Sequence, residues 1–432
     1  MKKELAILWF RHDLRLHDNE ALKEISAAAQ TILPVYVIDS RLVNGELPGG
    51  IPRMYRTRIQ FLLESIRDLR RYLREIGSDL VVRVGKPEDV IYNLSEKYGA
   101  AGVYCNRERM PHESSVQDAL EERLWSLGQE MHYYRGKMLI HTADLPFPVR
   151  RTPDKYASFL KETEHFITVR DPLPSQDQIL PFPDLDLDPG PIPKLSAFGY
   201  DDAYTNLDFT GGQVAGESQL MKSLYEITNQ GDEQLRISPW LSNGNLSPKF
   251  VYHQVEAHEG LSNLFKQTFK RKLILRDYYR LTGKKEPKTL FAKGGFQHKP
   301  GKAGNWDIGL FHQWVAGKTG HDYVDACMKC LSETGYLNHR QRKAVSYFLI
   351  DEMEVHWLLG ASYFQTVLLD YDPCSNYGNW QRTAGLSLDL KGRHPLNFEL
   401  ISEQMDPEEQ FRSQWAAYEV PMDKLLLQKS DI

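Results

Sequence analysis

The chain has 432 residues, a length that allows two or three domains with substantial cores. Its formal net charge of −5 gives no global basic field of the kind that indicates a general nucleic-acid binder. No apolar run approaches the ~20 residues of a membrane span. The N-terminal segment MKKELAILWF has too short an apolar run for a signal peptide and lacks a cleavage site, so we interpret it as a first strand and expect a cytoplasmic protein.

Short apolar runs alternate with amphipathic segments between residues 4 and 140. The runs LAILWF, TILPVYVID, DLVVRVG and AGVYC are typical of buried strands. Strands that alternate with helices predict a Rossmann-like α/β domain with a parallel sheet, over residues 1–140. No G-x-G-x-x-G follows the first strand, which argues against a standard dinucleotide site there. One helix face is marked by apolar residues three or four positions apart: Tyr55, Ile59, Leu62, Ile66, Leu69 and Leu73.

The character of the sequence changes after residue 140. Prolines are frequent across residues 141–204, which predicts a long linker over the surface. Beyond residue 205 the apolar segments have the length and period of helices. The sequence therefore predicts an all-α domain over residues 205–432.

Two patterns in the helical part allow more than one interpretation. Residues 266–302 contain twelve Lys or Arg and two acids, a local net charge of +10, and this segment is either a solvated face or a nucleic-acid patch. Cys327 and Cys330 have the spacing of a redox or zinc pair. No second pair completes a zinc site, so we expect them to pack within a helix. The other cysteines are Cys105 and Cys374.

The stretch DYDPCSNYGNWQ, residues 370–381, collects two carboxylates, an amide and an indole. Pro and Gly interrupt it, so we do not expect one regular helix. A metal site, a turn and a cofactor cradle are the three interpretations. The metal site is the weakest, because the chain has no EF-hand loop, no H-E-x-x-H and no other dense ligand cluster.

This stretch resembles the signature of the DASH-type cryptochromes in the photolyase/cryptochrome family. Other motifs follow in family order: WFRHDLRLHDNEAL (9–22), RRYLREIGSDLVVRVGKPEDVI (70–91), HTADLPFPVRRTPDKYASFLKETE (141–164), RISPWLSNGNLSP (236–248), LRDYYR (275–280), GKTGHDYVDACM (317–328) and TGYLNHRQR (334–342). The resemblance spans nearly the whole chain. It implies an α/β antenna domain, a linker and a helical domain that holds FAD.

The resemblance also implies which residues hold the cofactor. Asp370 and Asp372 meet the isoalloxazine edge and the adenine side, and Arg342 pairs with Asp370. Asn376 faces flavin N5. The remaining positions belong to the flavin helix or to the phosphate cradle: Arg276, Asp277, Tyr225, Arg236, Ile237 and Ser238. The cradle departs from the family, because Gln234 and Leu235 replace residues with hydroxyl groups.

Tryptophans and one glutamate gain roles by the same resemblance. Trp380 and Trp357 match the first two members of the relay that carries electrons to photoexcited FAD. Trp306 is near the third position, which leaves Trp314 structural. Glu108 resembles the carboxylate that meets the pterin ring of a folate antenna; the other interpretation is a solvated loop residue.

The departures from the family concentrate where its members touch a flipped-out pyrimidine dimer. Lys272 replaces a Glu, and Leu275 replaces a Trp. His339 replaces an Asn, and Arg382 replaces an aromatic residue. Lys343 lies four residues after His339 and shares its helix face. Family (6-4) photolyases also have His at the position of His339. The substituted positions are Lys272, Leu275, His339 and Arg382.

These features leave three functional hypotheses. The first is a photolyase-type enzyme in which light drives electron transfer from FAD to pyrimidine dimers in single-stranded DNA, with (6-4) repair as a variant. The second is a blue-light sensor that uses the same flavin and tryptophans. The third is a dark FAD oxidoreductase, which the absence of a nicotinamide motif disfavours. We expect a monomer with DNA as its partner.

Overall fold

The computed structural model describes residues 3–47, 50–164, 167–176, 179–206, 208–230, 234–298, 304–389 and 396–422. The N-terminal part contains seven strands among the described residues: β1 (Lys3–Phe10), β2 (Ala29–Asp39), β3 (Glu46–Leu47), β4 (Ile51–Pro52), β5 (Val81–Gly85), β6 (Gly102–Asn106) and β7 (Glu130–Tyr134). Five of them form a sheet in the order β5-β2-β1-β6-β7, in which every neighbouring pair is parallel, and β3 and β4 form a separate pair.

Both faces of the sheet are buried, as the continuous apolar runs predict. Along β1, Ala6, Leu8 and Phe10 pack into one core, whereas Ile7 and Trp9 pack into the core on the opposite face. The α/β architecture is therefore confirmed. Its helices are α1 (Glu20–Ala28), α2 (Ser40–Val43), α3 (Arg56–Glu75), α4 (Pro87–Tyr98) and α5 (Pro111–Trp125).

The C-terminal part is helical, with one isolated bridge between Asn305 and Val355 among its described residues. A π-helical turn (Phe348–Glu352) leads out of one of the helices. The helices are α7 (Gln213–Gln230), α8 (Ser238–Asn243), α9 (Pro248–Ala257), α10 (Asn263–Lys285), α11 (Ile308–Val315), α12 (Asp322–Thr334), α13 (His339–Tyr347), α14 (Trp357–Val367), α15 (Pro373–Thr383), α16 (Phe398–Met405) and α17 (Gln410–Ala416).

The segment between the two parts contains α6 (Tyr156–Thr163) and is tied to both of them. Phe159 of α6 is fully buried in the core of the helical part. Farther along, the backbone N–H of Val82 donates to the Pro189 carbonyl at 2.8 Å, which covers the edge of β5. The predicted boundaries at residues 140 and 204 stay predictions.

The stretch at residues 370–381 differs from our expectation, because α15 runs through most of it. Pro373 occupies the first turn of α15, where a proline removes no helical hydrogen bond. Gly378 lies against a neighbouring ring: a Cβ there would be 2.5 Å from Cδ1 of Tyr279. The expectation of no regular helix was wrong, since Pro begins the helix and Gly gives room for close packing.

Cys327 and Cys330 lie on α12, and Cys327 is fully buried. Their predicted helical packing is confirmed. No group of three or more His, Cys, Asp or Glu side chains that would hold a metal ion occurs within the described ranges. No helix in these ranges is long and apolar enough to cross a membrane.

We predict that Gly360→Ala destabilises the protein by about 1–3 kcal/mol, the usual cost of overfilling a core. Gly360 lies in α14, and a Cβ on it would be 2.2 Å from Cη2 of Trp380. Gly309→Ala in α11 is the matched control: Gly309 is exposed, and its nearest neighbour would be a side-chain oxygen of Asp307 at 3.3 Å. The control should stay within about 1 kcal/mol of the parent. Chemical unfolding measures the free energy of unfolding of both variants. Equal free energies for Gly360→Ala and Gly309→Ala would contradict the close contact between Gly360 and Trp380.

Candidate functional site

Asp370 follows α14 and is held by two side chains. Arg342 Nη2 donates to Asp370 Oδ2 at 2.8 Å, and Ser238 Oγ donates to the same oxygen at 2.6 Å. Burial lowers the pKa of Arg342, but the charge of Asp370 outweighs it and raises that pKa overall. The other carboxylate oxygen, Asp370 Oδ1, is buried and has no hydrogen-bond donor among the described residues. The pair therefore presents an unused acceptor of the kind that a bound ligand satisfies.

Asp372 begins α15 and has a cationic partner that sequence reasoning missed. Its Oδ1 accepts from the backbone N–H of Ser375 at 2.9 Å, and its Oδ2 accepts from Arg280 Nη2 at 2.6 Å. Burial alone raises the pKa of Asp372, but Arg280 and then Arg276 outweigh it and lower the pKa. Arg280 had been counted only as one charge of the basic segment. Arg280 lies four residues after Arg276 on α10, so the two share a helix face, and this spacing could have indicated that Arg280 also turns inward.

One face of α15 carries the other candidate groups. Asp372, Asn376 and Trp380 are four residues apart, so they follow one another along the helix. Asn376 Nδ2 donates to the Ala361 carbonyl of α14 at 2.9 Å, which fixes the orientation of the amide. Trp380 is buried against Gly360 of α14.

The candidate tryptophans differ in how they reach the surface. Trp357 is buried, Trp306 is 46 % exposed, and His356 lies between their rings. The ring centroids of Trp306 and His356 are 4.5 Å apart, and those of His356 and Trp357 are 6.2 Å apart, both in stacked arrangements. Trp314 touches Trp380 edge-to-face at 6.2 Å but is itself fully buried. An aromatic stack thus joins Trp357 to the solvent through Trp306.

Four cations lie near His339, and we call this group the cationic pocket: Lys272, Lys343 and Arg382, with Arg342 of the Asp370 pair. His339 is accessible to solvent but densely surrounded by protein. The surrounding protein, and then the four cations, lower the pKa of His339, which favours the neutral imidazole. Because Arg342 also holds Asp370, the cationic pocket adjoins the Asp370 site. Leu275 and Arg382 line a neighbouring recess.

The two predicted flavin-helix residues have backbone partners. Arg276 donates to the carbonyls of Lys137 and Leu241, at 2.5 and 3.0 Å. Asp277 Oδ2 accepts from the Ile140 N–H at 2.8 Å, and burial raises the pKa of Asp277 to about 7. The bonds to Lys137 and Ile140 tie α10 to the segment that follows β7, and the bond to Leu241 ties it to α8. Whether either residue also touches FAD stays a prediction.

The residues of the predicted phosphate cradle are not gathered at one place in the way that the two carboxylate–arginine pairs are. Tyr225 lies on α7 and is 62 % exposed. Arg236 is exposed and Ile237 is buried, immediately before α8. Of the cradle residues, the structure brings Ser238 to the Asp370 pair. The roles of the others stay predictions.

Glu108 is 8 % exposed, so its interpretation as a solvated loop residue was wrong. It forms an ion pair with Lys137. Burial raises the pKa of Glu108, but Lys137, His12 and Arg11 outweigh it and lower the pKa to about 2. Glu108 is therefore an ionised group at the junction of the two parts of the chain.

The basic segment at 266–302 is not one continuous surface. Arg276 and Arg280 are turned inward, Arg271 pairs with Glu164 at 2.8 Å, and Lys285 pairs with Asp154 at 2.5 Å. Residues 299–302 lie outside the described residues. The local charge of +10 is thus divided among buried contacts, surface pairs and exposed lysines, and neither sequence interpretation describes all of it.

Comparison with known proteins identifies the family. The model for DNA photolyase matches residues 6–177, and the model for the FAD-binding domain of DNA photolyase matches residues 269–427. Together they cover most of the chain, which therefore belongs to the photolyase/cryptochrome family. The FAD-binding domain also confirms the predicted cofactor. Asp370 Oδ1, an orphaned buried acceptor, fits such a ligand.

Named relatives refine this placement. The chain is 35 % identical to the chloroplastic/mitochondrial cryptochrome DASH of Solanum lycopersicum, over 96 % of this chain and 77 % of that protein. It is 33 % identical to the cryptochrome DASH of Synechocystis, over 95 % and 87 %. A solved Synechocystis cryptochrome superposes with a TM-score of 0.89 at 31 % identity, covering 96 % of this chain and 89 % of that one. The predicted DASH-type membership is confirmed.

A solved photolyase is also similar. The archaeal photolyase of Sulfolobus tokodaii, described as containing two FAD molecules, has a TM-score of 0.78 at 27 % identity. It covers 96 % of this chain, and 90 % of its own length is matched. The fold is thus shared with a photolyase as well as with cryptochromes.

We predict that Arg280→Met destabilises the protein by about 3–5 kcal/mol and lowers its flavin content. The variant leaves Asp372 buried without its cation, which is costly because an isolated charge is poorly solvated in the interior. Arg271→Met on the same helix is the control. It removes an ion pair with a largely exposed arginine, worth about 0–1 kcal/mol. Denaturant unfolding and flavin absorbance measure the effects, and a parent-like Arg280→Met would contradict the assigned pairing.

Proposed function

We propose that the protein is a light-driven photolyase-type lyase that acts on pyrimidine dimers in single-stranded DNA. The observation that carries this proposal is the cationic pocket next to the Asp370–Arg342 pair. Cations at that place bind phosphates of a DNA strand beside the flavin. When bound and reduced, FAD supplies the photoexcited electron that opens the dimer. Single-stranded DNA is favoured because a base that is already unpaired costs less to extrude.

The residues of the site then have distinct tasks. Arg342 and Ser238 hold Asp370 so that Oδ1 accepts a hydrogen bond from the cofactor. The amide of Asn376, oriented by Ala361, faces flavin N5 with an oxygen that accepts or a nitrogen that donates. Lys272 and Lys343 are exposed and bind phosphates.

The lowered pKa of His339 bears on the choice of lesion. An acid that protonates a (6-4) product at pH 7 needs a pKa near or above 7, whereas burial and the surrounding cations lower that of His339. The cyclobutane dimer is therefore the favoured substrate, and (6-4) repair is the alternative.

Electron supply follows the aromatic stack. In our proposal Trp380 gives an electron to the flavin. Trp357 then replaces the electron of Trp380, and Trp306 at the surface replaces that of Trp357. His356 bridges the last two rings. Burial, and then Lys293, lower the pKa of His356 to about 4, so it is neutral when it lies between them. Trp314 is structural in this proposal, since it is fully buried and its indole Nε1 donates to the Val345 carbonyl inside the core, whereas Trp357 reaches the surface through His356 and Trp306.

Several finer assignments belong to the same proposal. A folate antenna binds at Glu108, between the α/β domain (1–140) and the helical domain (205–432). The chain acts as a monomer. A blue-light sensor with little repair is the second candidate, and it is favoured by the loss of aromatic stacking at Leu275 and Arg382, where each base–aromatic stack is worth ~1–3 kcal/mol.

We predict that Trp380→Phe, Trp357→Phe and Trp306→Phe each nearly abolish blue-light reduction of oxidised FAD, because a phenyl ring is much harder to oxidise than an indole. Trp314→Phe is the matched control and keeps the parent rate. Flavin absorbance under illumination measures the rate. If Trp314→Phe is slow and Trp306→Phe reduces FAD at the parent rate, electrons reach the flavin through Trp314 instead, and the proposed relay is wrong.

We predict that Lys272→Ala with Lys343→Ala weakens single-stranded DNA binding and lowers the salt slope by up to about two, roughly one for each lost phosphate contact. Lys23→Ala with Lys194→Ala removes the same charge from exposed positions elsewhere and should leave the slope unchanged. Fluorescence anisotropy of a labelled single-stranded oligonucleotide at several salt concentrations measures the affinity and the salt slope. Equal slopes in both pairs would mean that the cationic pocket does not contact DNA.

We predict that the reduced protein repairs cyclobutane dimers under light, with an efficiency well below that of an ordinary photolyase. Thymine recovery from a dimer-containing single-stranded oligonucleotide is the measurement, with a dark sample as control. Lys272→Glu, Leu275→Trp and His339→Asn together should raise the recovery. Photoreduction without any recovery in either protein would favour the sensor, and full efficiency in the parent would contradict the pocket assignment.

A further inference from the structure

Lys293 contacts both tryptophans of the aromatic stack that reaches the surface. Its backbone carbonyl accepts a hydrogen bond from Trp357 Nε1 at 3.1 Å, and its ammonium lies 5.2 Å from the centre of the Trp306 ring. The side chain of Lys293 is exposed, and no carboxylate of the described residues forms an ion pair with it. A full positive charge therefore lies over the ring that we assign to the surface end of the relay.

The backbone holds Trp306 in this position. Asn305, the preceding residue, belongs to the isolated bridge of the helical part. Its N–H donates to the Glu354 carbonyl at 2.6 Å, and its carbonyl accepts from the His356 N–H at 2.9 Å. The Trp306 ring is thus placed on His356 and under Lys293 by backbone contacts between distant segments.

The other ionisable neighbours of Trp306 act less directly on its ring. Asp307, the next residue, accepts with Oδ1 from the backbone N–H of Leu310 at 2.9 Å, so it caps α11. Burial, and then the charge of Lys293, lower the pKa of His356 to about 4, and the imidazole is uncharged at neutral pH. Among the described residues, Lys293 is the charged side chain that lies over the Trp306 ring.

A cation over an indole has opposite effects on its two oxidation states. It attracts the electron-rich face of the neutral ring, and it repels the ring once an electron has left and the ring is positive. Coulomb's law at 5.2 Å, even with the dielectric constant of water, gives a repulsion that shifts an equilibrium constant by about fourfold. Lys293 thus makes Trp306 harder to oxidise and keeps more of the positive charge on Trp357.

We propose that Lys293 slows the electron relay by destabilising the oxidised form of its last donor. The proposal rests on the relay through Trp306 proposed above. In the last step Trp306 gives one electron to oxidised Trp357, which becomes neutral, while Trp306 becomes the radical cation and no bond breaks. Because the ammonium raises the free energy of that product, less of the separated charge reaches the surface. An anion bound to Lys293 removes this limit.

The first test is the rate of blue-light reduction of oxidised FAD in the holoprotein, at low salt and with a fixed excess of a neutral thiol reductant. Lys293→Gln should raise the rate by roughly twofold to fourfold, with the Coulomb shift as the upper figure. Lys293→Arg keeps the charge and should keep the parent rate. Both variants retain the backbone carbonyl that holds Trp357. Added salt should speed the parent but not Lys293→Gln, because ions screen the repulsion.

Lys97→Gln is the matched control for this test. It removes an exposed ammonium that lies 5.0 Å from the centre of the Tyr98 ring, in the α/β part of the chain. The change in net charge is the same as in Lys293→Gln, so the rate should stay at the parent value.

Fluorescence quenching in the apoprotein locates the ammonium without flavin and without the relay. Trp125 and Trp306 are the exposed members of the eight tryptophans, so a Trp125→Phe background isolates the quenching of Trp306. Iodide, an anion that Lys293 attracts, should quench this background more strongly than the same background with Lys293→Gln. Neutral acrylamide should quench both proteins equally.

The two measurements separate the ways in which the proposal could be wrong. Equal iodide quenching with and without Lys293 would place the ammonium away from the ring and overturn it. So would a Lys293→Gln holoprotein that reduces FAD at the parent rate or more slowly while Trp306→Phe is slow, because the relay would then be intact and indifferent to the charge. If Trp306→Phe also keeps the parent rate, the relay itself is wrong, and the role of Lys293 falls with it.

Discussion

Two buried ion pairs hold the helical part of this molecule in its functional arrangement. Asp370 and Asp372 are two residues apart, and each needs its own cation because an unpaired carboxylate in the interior is costly. Arg342 comes from α13 and Arg280 from α10. The short segment before α15 is therefore attached to two other helices. That attachment sets the direction of α15, and with it the positions of Asn376 and Trp380.

Hydrogen bonds of buried ionisable side chains join the two parts of the chain. Asp277 of α10 accepts from the backbone N–H of Ile140, whereas Glu108 and Lys137 form an ion pair within the α/β part. Arg276 adds a second bond to this segment through the Lys137 carbonyl. The functional residues thus lie on a framework of charges that is largely internal. Lys272 and Lys343 of the cationic pocket are exposed and remain available for ligands.

The sequence predicts the elements better than the contacts between them. Apolar runs locate the buried strands because a parallel sheet is covered on both faces, and the family resemblance pairs Arg342 with Asp370. The helix at α15 was missed because Pro373 was interpreted as a breaker, although a proline is favourable in a first turn. Arg280 was missed because a run of basic residues does not show which of them turn inward. The stack of Trp306 on His356 depends on a bridge between distant segments, which no local pattern reveals.

The central claim is that Asp370, fixed by Arg342, presents Oδ1 to the bound flavin. Titration of FAD into the apoprotein of Asp370→Asn tests it most directly, with Asp351→Asn, a change outside the site, as control. The account predicts that Asp370→Asn weakens FAD binding by roughly tenfold or more, the cost of losing a hydrogen bond to a charged group, and that the control binds like the parent. Circular dichroism establishes that both variants are folded. An Asp370→Asn protein that is folded and binds FAD as tightly as the parent would contradict the account.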